Sequence, residues 1–246
     1  INYSSFNDCF VMKEISEGNK KKLLDLFKKK QFERALETCE EISTNHAPSF
    51  FLFHIKGLIF AGLGRDQEAI ELYNLALNLN SRSEHAHFNL GLAYRSVGNL
   101  TGAAKSFQAA IEISPTFFMA YNNLGNLYIL TKDYHSAIEN FRRALEVRPS
   151  SPLILSNLGA ALYHSGALEE AGENLTKALD LQPDLSDAWS NLGSVLKEKG
   201  EYDLALEYYE LLRDIKYEGI ETKFYITEVS SGNEIEINSE TEFNLL

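Results

Sequence analysis

Residues 121–149 read YNNLGNLYILTKDYHSAIENFRRALEVRP. The apolar residues fall in two runs: Tyr121, Leu124, Gly125 and Tyr128, then, after a break, Ala137, Ile138, Phe141, Ala144 and Leu145. Spacings of three and four put each run on one face of a helix, so the stretch predicts two amphipathic helices joined by a short turn. Pro149 stops the second helix.

Moving outward, the same phrase returns every 34 residues. Gly57, Gly91, Gly125, Gly159 and Gly193 form one column, and Ala35, Ala69, Ala103, Ala137, Ala171 and Ala205 another. A second small-residue column holds Ala76, Ala110, Ala144 and Ala178, and a bulky column runs Cys39, Tyr73, Phe107, Phe141, Leu175, Tyr209. Pro115, Pro149 and Pro183 close three units, while Ser151 before Pro152 reads as an N-cap followed by proline at the first helical position. Small columns let paired helices approach closely, and the bulky column fills the space between them. A helix pair of this kind cannot bury its apolar face alone and must stack on neighbours.

These registers, with "FNLGLAY", "NNLGNLY" and "SNLGSVL" leading into "DYHSAIENFRRALEVRP" and its relatives, resemble tetratricopeptide repeats. Six units fit, at 16–49, 50–83, 84–117, 118–151, 152–185 and 186–219, covering 204 of 246 residues. The resemblance implies an all-α fold, a right-handed solenoid of six helix-turn-helix repeats with a concave and a convex side. The first unit departs from the pattern, with Leu23 in the glycine column and Lys30 where Gly64, Gly98, Gly166 and Gly200 stand in other units. It reads as a divergent end unit after an N-terminal extension at 1–15.

Composition narrows the function. The chain is 44% hydrophobic and 24% charged, with 15 Gly and 5 Pro, an ordinary globular balance. A net charge of −12 makes it a poor binder of phosphate backbones, so nucleic acid is not an expected partner. No stretch is long and apolar enough to span a bilayer, and no signal peptide is legible, so no membrane partner is expected. Cys9 and Cys39 give no disulfide framework, which points to a reducing, cytoplasmic setting. Phosphate-loop, nucleophile-elbow, zincin and dinucleotide motifs are all missing, so the expectation is a non-enzyme without cofactor or metal. The asparagines in N-x-[ST] matches, Asn2, Asn99 and Asn174, are read as chance.

The most informative polar column is Asn89, Asn123, Asn157 and Asn191, two residues before the glycine on each first helix. Leucines already supply the packing there, so the core does not need four in-register amides, whose donor and acceptor pairs suit the backbone of an extended peptide. In superhelical members of the family, such as the repeat domain of O-linked N-acetylglucosamine transferase, asparagines at the matching position line the inner surface and hold peptide main chain. Ile55 breaks the column in the second unit. His54, His85, Phe88, Asn122, Asn126, Arg95 and Tyr163 are expected on the same helix face, a mixed polar and aromatic recognition surface. The carboxylate clamp known in the family is not expected, because Phe51, His54 and Leu58, then His85, Phe88 and Asn89, then Met119, Asn122 and Asn123 supply no cations.

Past Tyr217 the period fails. Residues 222–229, TKFYITEV, and 234–238, EIEIN, flank the turn residues SSGN, so a β-hairpin appendage is expected within an acidic tail at 220–246. Tyr208, Tyr209, Leu212, Ile215 and Tyr217 offer it a surface. Residues 13–34 are locally +4 and 218–246 locally −6, so the two ends carry opposite charge. The expected function is a protein-interaction scaffold holding a peptide or partner segment in the concave groove. Two rivals stand beside it: a substrate-docking or regulatory arm of a larger glycosyl- or sulfotransferase, which the start at Ile1 fits, and a scaffold that assembles as a homo-oligomer.

Overall fold

A computed structural model of the chain describes residues 14–214, 224–227 and 234–237. Its helices come in pairs: α1 (Glu17–Lys28) with α2 (Phe32–Asn45), α3 (Phe50–Gly62) with α4 (Asp66–Leu79), and α5 (Glu84–Ser96) with α6 (Leu100–Ile113). Then follow α7 (Phe118–Leu130) and α8 (Tyr134–Val147), α9 (Pro152–His164) and α10 (Leu168–Leu181), and α11 (Ser186–Glu198) and α12 (Tyr202–Asp214). The chain divides into two compact units, residues 1–127 and 128–246. In the first, α4 packs on α5 and α3 on α5; in the second, α8 packs on α9, α10 on α11 and α9 on α11.

The glycine and bulky columns turn out to be one device. A Cβ built on Gly91 would stand 2.6 Å from Cε1 and 2.7 Å from Cδ1 of Phe107. Gly57 meets Tyr73 at 2.6 Å and Gly159 meets Leu175 at 2.5 Å, while Gly193 would collide with Tyr209. Each of these four glycines is therefore a hole for the bulky residue sixteen positions later in its own repeat. Phe107, Phe141 and Leu175 are fully buried, as are the alanines at 69, 76, 103, 110, 137, 144, 171 and 178. Burying one such aromatic contributes about 2–3 kcal/mol. The first repeat inverts the pair: Leu23 replaces glycine, Cys39 replaces the large residue, and both are fully buried in one core cluster.

Local signals set the helix ends. Ser16, Ser49 and Ser83 accept from the backbone N–H three residues on, at 3.2 Å each. Asn99 and Asp133 cap α6 and α8 in the same way. Ser151 occupies the N-cap of α9 with Pro152 following, but its side chain makes no capping bond; the proline's preset φ starts this helix without one. The first helices close on a left-handed residue, with φ between +72° and +85° at Gly64, Gly98, Gly166 and Gly200. Lys30 and Lys132 adopt the same turn at φ +55° and +60°. No helix among the described residues is long and apolar enough to cross a membrane.

Strands β1 (Phe224–Thr227) and β2 (Glu234–Ile237) pair antiparallel, with Phe224 opposite Ile237 and Thr227 opposite Glu234. The expected turn at 230–233, the remaining tail residues, Ile215, Tyr217 and residues 1–13 of the N-terminal extension lie outside the described residues.

Candidate functional site

Asn89 and Asn123 belong to the first unit, on α5 and α7; Asn157 and Asn191 belong to the second, on α9 and α11. All four are half-buried, so their amides sit at the edge of the packed surface. Asn89 and Asn123 are each tied to a neighbouring repeat. Asn89 Nδ2 donates to His54 Nε2 of α3 at 3.0 Å. Asn123 accepts from Arg95 Nη1 of α5 at 2.9 Å while its Nδ2 donates to the Met119 carbonyl at 2.9 Å.

The His54 pairing fixes a protonation state. An amide nitrogen can only donate, so Nε2 must carry a lone pair and the proton must sit on Nδ1. Burial pushes the His54 pKa down to about 4, helped by the nearby charge of His85, so the ring is neutral at pH 7. Its faces are covered by Phe50, stacked at 5.3 Å, and Tyr73, tilted at 5.8 Å. Where the second repeat lacks the asparagine, Ile55 is 2% exposed in the core and His54 provides the polar contact instead.

The remaining predicted residues divide between packing and surface. Phe88 packs on Phe107 at 5.6 Å and Phe117 at 5.1 Å, and His85 meets the edge of Phe117 at 5.2 Å. Asn122 is 9% exposed and turned into the core, not onto an open face, because its repeat position points between helices, as does Ser156 one repeat later. Asn126 is half-buried on α7, and Arg95 is exposed with its guanidinium oriented by Asn123. In the second unit Tyr163 is half-buried at 5.1 Å from His164, which stacks on Tyr134 at 5.2 Å; burial raises the Tyr163 pKa, with Glu198 adding to it.

Sequence reading missed the cross-repeat pairs. They are nonetheless periodic: His54 and Asn89 lie 35 apart, and Arg95 and Asn123 lie 28 apart. Arg142 and Glu170, ion-paired at 2.7 Å, repeat the 28-residue offset. A search for complementary polar residues one repeat plus one, or one repeat minus six, would have found them.

The other candidate chemistry resolves into structure. Cys39 is fully buried and burial pushes its thiol up to about 11, so it is a packing residue. Asn99 is a helix cap and Asn174 is 9% exposed inside α10, bonded to the Glu170 carbonyl at 2.8 Å. Among the described residues, no group of three or more His, Cys, Asp or Glu is placed to hold a metal ion.

Tetratricopeptide repeat models match residues 116–184 and 150–218, and a further TPR repeat model matches 57–98 and 91–132. These matches end at residue 218, so they take in helical repeats and not the β pair. No curated protein sequence matches the chain. Solved structures share the fold at low identity. PilF of Pseudomonas aeruginosa is 17% identical with a TM-score of 0.72, over 83% of this chain and 92% of that one. MamA of Desulfovibrio magneticus RS-1 is 20% identical with a TM-score of 0.65, over 69% and 96%. YrrB, described as a TPR protein with an unusual peptide-binding site, is 21% identical with a TM-score of 0.60, over 76% and 93%. With its six helix pairs and with family models spanning well over half its length, the chain belongs to the tetratricopeptide repeat family.

Proposed function

We propose that this chain is a non-catalytic interaction scaffold that holds an extended peptide or partner segment on the first-helix faces of its repeats. The observation that carries the reading is the pre-orientation of the column amides. Asn123 is held from both ends, by Arg95 and by the Met119 carbonyl, and Asn89 is held by a neutral imidazole. An amide already fixed in place loses little further freedom on binding, which favours affinity. Asn89 keeps its Oδ1 for a peptide N–H, and Arg95 keeps guanidinium N–H groups beyond the one given to Asn123, suited to a carbonyl or an acidic side chain. Exposed Met119, at 38%, adds an adaptable apolar contact beside them. Asn157, Asn191 and Tyr163 play the corresponding part in the second unit. The description of YrrB as a peptide-binding TPR protein supports this class of function.

A peptide array probed with the purified, labelled chain tests the reading. Expected are families of extended sequences that retain the chain and lose it when Asn123 and Asn157 are both replaced by Ala. An array on which the same sequences are retained with and without the two amides would refute it.

A further inference from the structure

A groove of about 660 Å³ lies in the second unit, between α10 and α12 over α11, and the asparagine column does not line it. One underfilled packing position lines it. Outside the divergent first repeat, where Leu36 stands with the equally long Ile59, the residue after the alanine of the second helix has a counterpart on the following first helix: Ile70 with Ala93, Ala104 with Leu127, Ile138 with Ala161. Each of these pairs sets one long side chain against one short, and Ile70 and Ala93 share a core cluster. The last pair is Gly172 and Val195, smaller by about two carbon atoms.

Nothing in the packing requires glycine there. A Cβ on Gly172 would meet nothing closer than Val195 Cγ1, at 3.8 Å, and its φ is not positive. A glycine inside a helix costs stability relative to alanine, and what this one leaves is open space. Leu204, 36% exposed, and Tyr208 of α12 form the opposite wall.

The rim fixes the occupant's charge. Glu169 and Glu173 stand one turn apart on α10, and Asp180 sits in the last turn of that helix, where the free carbonyls add negative potential and no basic residue offsets them. Of the two rim lysines, Lys199 is already paired with Glu201 at 3.1 Å, which leaves Lys177 against three carboxylates. Residues 218–246 of this chain, with seven Glu and one Lys, are repelled by such a rim.

We propose that this groove is a second docking site, which receives a basic segment of another protein through a branched aliphatic side chain seated over Gly172. Leucine or isoleucine supplies the bulk that Ile70 and Ile138 supply in their own repeats, and lysine or arginine beside it faces Glu169 and Glu173.

The probe is a short acetylated and amidated Leu/Lys peptide of helical spacing, with fluorescence polarisation of the full chain at physiological salt. Matched peptides carry Ala for Leu or Glu for Lys. The Leu/Lys peptide is expected to bind at least about tenfold tighter than either control. Gly172→Ile, with Tm unchanged or raised, and the surface double variant Glu169→Gln with Glu173→Gln should each weaken it about tenfold. Replacing Asn123 and Asn157 by Ala should leave it unchanged, so this site and the asparagine face stand or fall separately. Equal binding of the Leu/Lys and Ala/Lys peptides, or full binding by the Glu169/Glu173 variant, overturns the proposal. So does a wild-type dimer in light scattering that Gly172→Ile dissolves, because the occupant would then be a second copy.

Discussion

The exchange of volume between Leu23 with Cys39 in the first repeat and glycine with a bulky residue elsewhere predicts a strong coupling at Gly91 and Phe107. Gly91→Leu on its own places a Cβ at the site 2.6 Å and 2.7 Å from the Phe107 ring, with Phe107 fully buried and unable to swing into solvent. Overpacking of that kind costs roughly 1–3 kcal/mol or more, only partly offset by about 1 kcal/mol from replacing a helical glycine. Phe107→Cys on its own leaves a cavity and costs about 3–5 kcal/mol, as large-to-small core changes do. Together the two substitutions copy the first repeat, where Leu23 and Cys39 fill the same space with no exposed surface. The double variant should therefore be more stable than the sum of the singles by at least about 2 kcal/mol, within the range seen for residues in direct contact. Urea titration followed by far-UV circular dichroism, with all four proteins compared, measures the coupling. Additivity within about 0.5 kcal/mol would refute the claim that the glycine column exists to admit the bulky column.

Two other predictions follow from the same geometry. His54 has a native pKa of about 4 against 6.5 unfolded, so the unfolded chain binds the extra proton between those values. Its contribution is complete above about pH 6.5 and is lost as pH falls towards 4, by about 3 kcal/mol at most. His54→Gln, which keeps an acceptor for Asn89, should flatten that part of the pH–stability curve, and an unchanged slope would contradict the assignment. Lys132 holds φ +60° in a turn where Gly64, Gly98, Gly166 and Gly200 serve other repeats. Lys132→Gly should raise stability by about 1 kcal/mol, the cost of a non-glycine residue in the left-handed region, and a lowered Tm would contradict it.

The repeat period made the helix pairs legible, since spacings of 3.6 and 34 are both properties of the sequence itself. That the bulky column fills the space the small columns leave was legible, but the one-to-one partnership was not: Gly91 and Phe107 are separate letters until the helices are packed. The Asn face was legible only in outline. Asn122 has the same composition and neighbourhood as Asn123, yet one step along a helix turns a side chain by about 100° and carries it from the surface into the core. His54 looked like a surface candidate and is a neutral, half-buried acceptor, a state set by Tyr73 and Phe50 packed over it. Gly172 passed unnoticed because its meaning lies in Val195, on the next helix.

The central claim is that the column amides bind peptide main chain. It is tested most directly by isothermal titration of an array-selected peptide into wild type and into the Asn123→Ala, Asn157→Ala double variant. The account predicts a loss of about 1–3 kcal/mol in binding free energy, the cost of removing amides desolvated against a peptide backbone, with helicity intact. Equal affinity for the two proteins, at equal helicity, would contradict it.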